Sequence, residues 1–369
     1  MADSVVSLFV FLVVTGLVAV DGVKFNCSAL PPLTQPARTV RELKPQDVKV
    51  VMALGDSITA GFGMMGSHGI FVWEDFYEYR GNSFSIGGDS NAQTIATFLR
   101  FYTPDIIGSS VGNHAFEVCY DVLCPPLQYE PRKDVFNAAQ SGAMITDVVK
   151  HELNYLINQV KENKDVDMEN DWKLLTLLIG ANDLCISCLH IIPYLSPDDY
   201  EKHLNETLTE IKKSLPRTFV NLVLMGNLSQ IYELSLKSTY CKDVHRLIPI
   251  ECVCAFTEGK EGEKLRKDLD VMAQEYNART RKVAAWWAEQ QYDDFAAIPQ
   301  PFFSEARADD FPIDFLSSLD CFHPSLLAHQ TMAKALWNNM LTPAVKKRTT
   351  FDFKEPFVCP TNTSIFYTN

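Results

Sequence analysis

Short apolar runs alternate along this chain with longer segments in which apolar residues recur every three or four positions. The short runs predict buried strands, and the three-to-four spacing predicts amphipathic helices. Strands are predicted at residues 50–54, 135–138, 172–179, 219–225 and 295–298. Helices are predicted from 90 to about 102 and over 147–161, 197–215, 261–290 and 324–341. Apolar strands separated by helices are typical of a parallel sheet covered by helices on both faces, so the pattern favours an α/β fold.

The residues that begin two of these helices follow from capping preferences. Asp89 or Ser90 can cap the helix that ends near Tyr102, because short polar side chains accept hydrogen bonds from free N–H groups. Pro324 is predicted at the first position of the last helix, where its missing N–H has no cost.

The first 22 residues resemble a secretory signal peptide. Residues 5–20 are almost wholly apolar, and Ala19 and Gly22 are small residues suited to cleavage. Asp3 and the lack of Lys or Arg depart from the usual pattern, and a membrane anchor is the alternative. The run is short for a spanning helix and no second long apolar run follows, so we expect a secreted protein without a transmembrane anchor.

The remaining residues, 23–369, contain no Pro-, Gly- or Ser-rich linker and are expected to form a single domain. Within it, residues 106–132 have weak periodicity, two cysteines and three prolines. We expect an irregular surface insertion near 106–132.

Ten cysteines, all after the predicted signal peptide, agree with export, since disulfides persist in oxidising compartments. Their spacing suggests local bridges between Cys119 and Cys124 and between Cys185 and Cys188, although connectivity cannot be read from sequence. A redox or zinc role for the CxxC at 185–188 is the alternative. Four sequons fit the same compartment and make glycosylation candidates of Asn26, Asn205, Asn227 and Asn362.

The formal net charge of −13 and the absence of a basic patch argue against nucleic acid as a partner. Electrostatic adhesion to anionic membranes is disfavoured for the same reason. Transient contact with a lipid interface would therefore have to be hydrophobic.

Ser57 is the first candidate for chemistry. It follows the predicted strand at 50–54 in the sequence GDSIT, just before a segment that can begin a helix. A helix N-terminus directs N–H groups and a positive dipole end toward such a residue. The alternative is that Ser57 only caps the helix.

Asp320 and His323 supply the groups that a nucleophilic serine needs. A base must take the serine proton, and a carboxylate must orient the base, and both can lie on one loop when three residues apart. Asn182 and Gly142, each placed after a predicted strand, are candidate oxyanion donors, the first through its amide and the second through its N–H. Each could instead be a turn residue. Asp56 and Asp183 are interpreted as structural.

These motifs resemble the four blocks of the GDSL, or SGNH, hydrolases in the family's order: GDSIT at 55–59, Asn137 to Gly142, GANDL at 180–184 and DCFH at 320–323. Longer stretches are similar to the phospholipase B branch. They are YRGNSFSIGGDSN (79–91), DWKLLTLLIGANDLC (171–185), RTFVNLV (217–223), YCKDV (240–244) and DCFHPSLLAHQTMAKALWNNML (320–341).

The resemblance implies a flavodoxin-like three-layer α/β/α hydrolase that needs no metal or organic cofactor. It implies Ser57 as nucleophile, His323 as base and then acid, and Asp320 as the orienting carboxylate. The Ser57 N–H, the Gly142 N–H and the Asn182 side chain would form the oxyanion hole. The implied reaction releases fatty acids from phospholipids and lysophospholipids through an acyl-enzyme.

This chain departs from the family in small respects. Ile58 replaces the usual Leu of the first block, and the segment near 106–132 is longer than in typical relatives. The tandem repeats and membrane stalk of large animal members are not expected here.

Two other interpretations remain open. The same chemistry could act on neutral lipids or small acyl esters, or the chain could be a secreted binding protein that is not an enzyme. Several apolar residues after the nucleophile could line a lipid-access surface or simply belong to the core: Phe62, Met64, Met65, Phe71 and Trp73.

Overall fold

The structure is a computed structural model that describes residues 27–67, 73–117, 129–190, 195–247 and 251–369. The predicted signal peptide, the sequon at Asn26 and the pair Cys119 and Cys124 lie outside the described residues.

The strands of the described residues are β1 (Val48–Gly55), β2 (Tyr77–Glu78), β3 (His114–Ala115), β4 (Trp172–Leu178), β5 (Thr218–Val223) and β6 (Phe295–Gln300). The helices are α1 (Ser57–Ala60), α2 (Ile95–Tyr102), α3 (Pro131–Asp134), α4 (Ile145–Asp147), α5 (Leu153–Glu162), α6 (Ala181–Ile186), α7 (Pro197–Ser214), α8 (Ser229–Ser235), α9 (Thr239–Leu247), α10 (Val253–Phe256), α11 (Gly259–Glu289) and α12 (Leu326–Met340). A π-helical turn, Val148–Glu152, joins α4 to α5.

The central sheet is parallel and has the strand order β1-β4-β5-β6. Gly55 at the end of β1 is in register with Leu178 at the end of β4. Two short segments pair with the free edge of β1, through a parallel bridge at Ile107 and another at Asn137. The carboxyl ends of these strands therefore lie along one edge of the sheet.

Helices cover both faces of the sheet, as the sequence pattern predicts. On one face α7 packs against α11, where the rings of Tyr200 and Tyr276 stack with their centroids 4.2 Å apart. On the other face α2 packs against α12, and the Trp337 ring contacts Phe98 and Tyr102. The three-layer α/β/α prediction is confirmed.

Two predicted helix starts are wrong. The side chain of Thr94, not Asp89 or Ser90, caps α2 by accepting from the Thr97 N–H. Residues 89–92 form turns instead, since the Asp89 carboxylate accepts from the N–H of Gly112. The cap of α12 is Ser325, which accepts from the Ala328 N–H, so Pro324 lies before the helix.

The disulfides differ from the local bridges that the cysteine spacing suggested. Cys185 pairs with Cys252 and Cys188 with Cys254, while Cys241 pairs with Cys321 and Cys27 with Cys359. Cys185 and Cys188 lie one helical turn apart and both face α10, with Cα–Cα distances of 4.5 and 5.7 Å to their partners. The two cysteines therefore form disulfides with a second element, and these bonds link α6 to α10 instead of closing a local loop.

Three glycosylation candidates lie among the described residues. Asn362 is exposed, whereas Asn205 and Asn227 are half-buried and their side-chain oxygens accept from Trp287 and Gln274. No helix in the described ranges has both the length and the apolar character needed to cross a membrane.

Gly55 generates a prediction about stability. Its φ is +150°, and a Cβ there would lie 2.4 Å from the Leu178 carbonyl oxygen in the neighbouring strand. Gly55→Ala is therefore expected to lower the free energy of unfolding by about 2–3 kcal/mol, because neither strand can move without breaking the ladder. Chemical denaturation followed by circular dichroism measures the change.

The matched control is Gly112→Ala. Gly112 also has positive φ, +64°, but no atom lies within 4 Å of the added Cβ. Its cost should be about 1 kcal/mol, from the backbone conformation alone. Equal losses in the two variants would contradict the steric explanation.

Candidate active site

Ser57 lies at the carboxyl edge of the sheet, two residues after the end of β1. It is the first residue of α1, and the cap is Asp56, whose Oδ1 accepts from the Ile58 N–H at 2.9 Å. The interpretation of Ser57 as a helix cap is therefore wrong, and the structural role expected for Asp56 is the capping role. As a first-turn residue, Ser57 has an N–H without an intrahelical acceptor.

The structure brings Ser57, His323 and Asp320 into one hydrogen-bonded chain. His323 Nε2 is 2.7 Å from Ser57 Oγ, and His323 Nδ1 is 2.5 Å from Asp320 Oδ2. All three residues are buried. These distances suit an imidazole that donates from Nδ1 to the carboxylate and that, in its neutral form, can accept the hydroxyl proton at Nε2.

The turn that carries Asp320 and His323 is held from several sides. Asp320 Oδ1 accepts from the N–H groups of Phe322 and His323, at 2.9 and 3.0 Å. His245 of α9 donates to the Asp320 carbonyl at 3.0 Å, and Cys241 of the same helix forms the disulfide with Cys321. The carboxylate and imidazole are thus oriented before any substrate binds.

The charges around His323 favour its protonated form. Burial opposes that form, but Asp320, then Glu251 and Asp56, raise the pKa of His323 to about 9. Burial alone would raise the pKa of Asp320, yet that pKa lies below its ordinary value because His323 and three hydrogen bonds stabilise the carboxylate. Ligand atoms of Glu251, Asp320 and His323 all lie within 4.8 Å of one another.

A buried glutamate holds the strand end that precedes Ser57. Glu152, the last residue of the π-helical turn, accepts from the Gly55 N–H at 2.9 Å. Burial raises its pKa well above the usual range, and the nearby Asp147 and Asp56 raise it further. The π-helical turn therefore supplies a polar contact to the backbone of the site.

The two candidate oxyanion donors lie on joined segments at the same sheet edge. The Asn182 side chain in α6 donates to the Ala143 carbonyl at 3.0 Å, directly after Gly142, which has a φ of 82°. Asp183 accepts from the Ile145 N–H at 3.3 Å, and burial raises its pKa to about 7. Asp183 thus fixes the segment after Gly142, in agreement with the structural role expected for it.

A fully buried arginine anchors the start of the 137–142 loop. Arg80 donates to the Asn137 carbonyl at 3.1 Å and to Glu78 at 2.6 Å, and its Nε is 3.2 Å from Asp134. The other oxygen of Glu78 accepts from the Ser141 hydroxyl at 2.5 Å, one residue before Gly142. Both ends of the loop are therefore held by one cluster of buried charges.

Two groups of side chains in the described ranges have the spacing of metal ligands: Glu78, His114 and Glu117, and Glu251, Asp320 and His323. In both groups the histidine nitrogens already contact protein oxygens, and those of His114 face Asp134 and the Ala115 carbonyl. A cation would have to displace these contacts.

The apolar residues after Ser57 divide between core and rim. Met64 is in the core, whereas Met65 is exposed. The half-buried Phe62 ring packs edge-on against His323 and Phe116, with centroids 4.9 and 5.7 Å away. The side chains of Phe71 and Trp73 lie outside what the structure describes.

Several residues at the site were not found from the sequence, notably Glu251, His245, Glu152 and the Arg80–Glu78 pair. Arg80 lies in the stretch that resembles phospholipase B, which was a usable signal. Nothing in the sequence around Glu251 or Glu152 indicates that the fold brings them to Ser57.

Comparison with known proteins assigns the class. The chain matches the profile of the GDSL-like Lipase/Acylhydrolase family over residues 51–336, a range that includes Ser57, Gly142, Asn182, Asp320 and His323. This match gives the class of the domain, that of the GDSL-like lipases and acylhydrolases. The chain belongs to the GDSL-like lipase/acylhydrolase family.

Among individual proteins, the chain is similar to the membrane-associated phospholipase B1 of Rattus norvegicus and of Mus musculus. It is 31% identical to the rat protein over 94% of its own length and 30% identical to the mouse protein over 96%. The chain spans 23% of the length of each of these relatives.

A similar solved structure is that of a variant of Axe2, an acetyl xylan esterase from Geobacillus stearothermophilus. It is 15% identical, with a TM-score of 0.36, and the match covers 79% of this chain and 93% of that one. The family assignment rests on the sequence match.

The disulfide in the turn of Asp320 and His323 generates a second prediction. Replacing Cys241 and Cys321 together with Ser should lower stability by about 2–4 kcal/mol and should also slow fluorophosphonate labelling of Ser57. The labelling slows because the turn that aligns His323 loses its link to α9. Mass spectrometry of the labelled protein gives the rate.

The matched control is the double Ser replacement of Cys27 and Cys359, a pair that does not touch the site. It should lose comparable stability and keep the labelling rate. Equal labelling in both variants, at a temperature where each is folded, would refute the tethering role.

Proposed function

We propose that this protein is a secreted serine esterase that hydrolyses the carboxylic esters of phospholipids and lysophospholipids. The observation that carries the proposal is the hydrogen-bonded chain from Asp320 through His323 to Ser57, with distances of 2.5 and 2.7 Å. Buried chains of this kind are the arrangement in which a serine hydroxyl becomes a nucleophile.

In the proposed mechanism, Ser57 Oγ attacks the ester carbonyl while its proton passes to His323 Nε2. Asp320 stabilises the resulting imidazolium through Nδ1–H. His323 then protonates the leaving alcohol, and the acyl group remains on Ser57. Water activated by His323 attacks this acyl-enzyme, which releases the fatty acid and returns the proton to Ser57.

The oxyanion of each tetrahedral intermediate is proposed to accept from the Ser57 N–H, the Gly142 N–H and the Asn182 amide. The Asn182 amide carries two N–H groups, and one of them donates to Ala143. That bond orients the amide, while the second N–H remains available for an oxyanion.

The phospholipid substrate is inferred from the similarity to phospholipase B1 and from the apolar rim of the site. Met65 and Phe116 are 37% exposed, and the Phe116 ring packs against Phe62, which in turn packs against His323. With a net charge of −13, contact with a lipid surface would rest on such apolar side chains.

Export is inferred from the apolar N-terminal segment and from the four disulfides of the described residues. Asn362, the exposed sequon, is the foremost glycosylation candidate.

The experiment that tests the function is product analysis on phosphatidylcholine with two distinct acyl chains. The wild-type protein is expected to release fatty acid, and Ser57→Ala should reduce turnover by roughly 10⁶-fold if the three residues act as a unit. Asn182→Ala should cost roughly 10²–10³-fold through the lost oxyanion donor.

The outcomes separate the alternatives. Hydrolysis of tributyrin or acetyl esters without attack on phosphatidylcholine would replace the proposed substrate with a neutral lipid or small ester. Ester hydrolysis retained by Ser57→Ala would refute the mechanism, and absence of labelling by a fluorophosphonate would favour a binding protein.

The electrostatics of the site predict the pH dependence. Only neutral His323 can accept the serine proton, so kcat/KM should rise with pH through the pKa of His323, near 9. Glu251→Gln removes a negative charge that stabilises the imidazolium. The pKa of His323 should then fall, and the acid limb of the profile should move to lower pH.

The pH profile of kcat/KM on a soluble ester measures this shift. Glu263→Gln, on the exposed face of α11, is the control for the loss of one carboxylate and should leave the limb in place. If Glu251→Gln leaves the acid limb in place or moves it to higher pH, the Glu251 carboxylate does not raise the pKa of His323 and the explanation is wrong.

A further inference from the structure

A cavity of about 120 Å³ lies beside the Ser57–His323 pair, and its lining is almost entirely apolar. The residues that line it include Ile58, which follows Ser57, and Ala181, which precedes Asn182. The His323 ring also faces it. The cavity therefore adjoins both the proposed nucleophile and a proposed oxyanion donor.

One wall comes from the end of β5 and from α8. Met225, just after the strand, and Leu228, Ile231 and Leu234 along the helix face the cavity. Leu228 and Leu234 are buried, and Ile231 packs against the core. These four side chains present only aliphatic and thioether groups to the cavity.

The opposite wall is aromatic. Phe311 stacks on Phe315 with centroids 4.7 Å apart and meets Phe351 edge-on at 5.4 Å, and all three rings line the cavity. Met332 of α12 and Ala306 complete this side. These contacts restrict the rotation of the three rings, so this wall is rigid where they pack together.

The polar side chains at the cavity are already bonded to protein groups. Gln230 accepts from the Ala308 N–H at 2.9 Å and donates to the Ser229 hydroxyl at 3.1 Å. The Asn227 side-chain oxygen accepts from Gln274 at 2.6 Å. A ligand that fills the cavity thus gains by burying apolar surface.

We infer that this cavity binds the fatty acyl chain of the ester that Ser57 attacks, an inference that rests on the proposed function. The alcohol part of a phospholipid carries a phosphate and glycerol oxygens, which would lose their water here without gaining partners. An acyl chain has no polar atom beyond its carbonyl. Met225 and Met332 can adapt their flexible side chains to it.

The volume sets the length of chain that fits. An apolar cavity of about 150 Å³ holds benzene, which has six carbons, so a cavity of about 120 Å³ holds roughly four to six carbons. Acyl chains of about that many carbons should therefore fill the cavity, and the end of a longer chain should extend beyond it.

The test is a chain-length series of p-nitrophenyl esters, from acetate to palmitate, below their critical micelle concentrations. Each methylene buried should raise kcat/KM about three- to fourfold until the cavity is full, after which the profile should level off. A parallel series of acetate esters of long-chain alcohols varies the other side of the ester, and its rates should depend little on length.

Ala306→Phe fills the cavity away from the catalytic residues. It should lower the hexanoate-to-acetate ratio of kcat/KM at least roughly tenfold, the effect of losing about two methylene sites. Leu234→Ala enlarges the cavity and should move the end of the rise to longer chains. Both variants are judged by the relative kcat/KM of different esters measured on one sample. A smaller folded fraction lowers all of these rates equally and therefore does not change the comparison.

The matched control is Val271→Phe, which adds an aromatic ring at a 64% exposed position of α11 and should leave the ratio unchanged. A flat acyl profile in an active enzyme, length dependence on the alcohol side, or equal effects of Ala306→Phe and Val271→Phe would each overturn the acyl assignment alone. Failure of the wild-type protein to hydrolyse any ester, with Ser57 unlabelled, would overturn the proposed function and this inference together.

Discussion

The parallel pairing of β1 with β4 is the constraint on which the site depends. It aligns Gly55 with Leu178. Within a few residues of these positions, β1 leads into α1 and β4 leads into α6. Ser57 and Asn182 are consequently neighbours across one edge although 125 positions separate their numbers. A slip in this register would separate the serine from its proposed oxyanion donor while most of the core remained buried.

The residues around that edge are held chiefly by polar contacts inside the protein. Glu152 bonds to Gly55, Asp183 bonds to Ile145, and the Arg80–Glu78 pair holds the loop that ends at Gly142. Buried ionisable groups are costly unless they are bonded, so each implies that its partner stays in place. A different set of carboxylates, Asp320, Glu251 and Asp56, faces His323 and raises its pKa.

The sequence predicts the parts of this structure that depend on local pattern or on motifs. Buried strands such as 172–179 and long helices such as 261–290 are evident from periodicity, and the family resemblance alone is enough to group Ser57, Asp320 and His323. Thr94 was missed as a cap because Asp89 and Ser90, a few positions earlier, are also acceptable capping residues. Ser325 was missed because the adjacent Pro324 is itself favoured at the first position of a helix.

Long-range features were beyond the sequence for a different reason. Glu251 lies near His323 and directly before Cys252, whose disulfide with Cys185 joins that segment to α6. The pairing of Cys188 with Cys254 depends on the approach of α6 to α10, which no local spacing encodes. The acyl cavity likewise combines residues from the segment after β5, from α8, from α12 and from the 303–316 segment, which meet only in the folded chain.

The disulfides also restrict how a substrate can reach Ser57. The disulfide of Cys241 joins α9 to the turn that carries Asp320 and His323. Cys252, directly before α10, is bonded to Cys185 of α6. Cys254 of α10 is bonded to Cys188 in the turn after α6. Neither helix can swing outward as a hinged lid while these bonds are intact, since either movement would pull on the catalytic groups themselves.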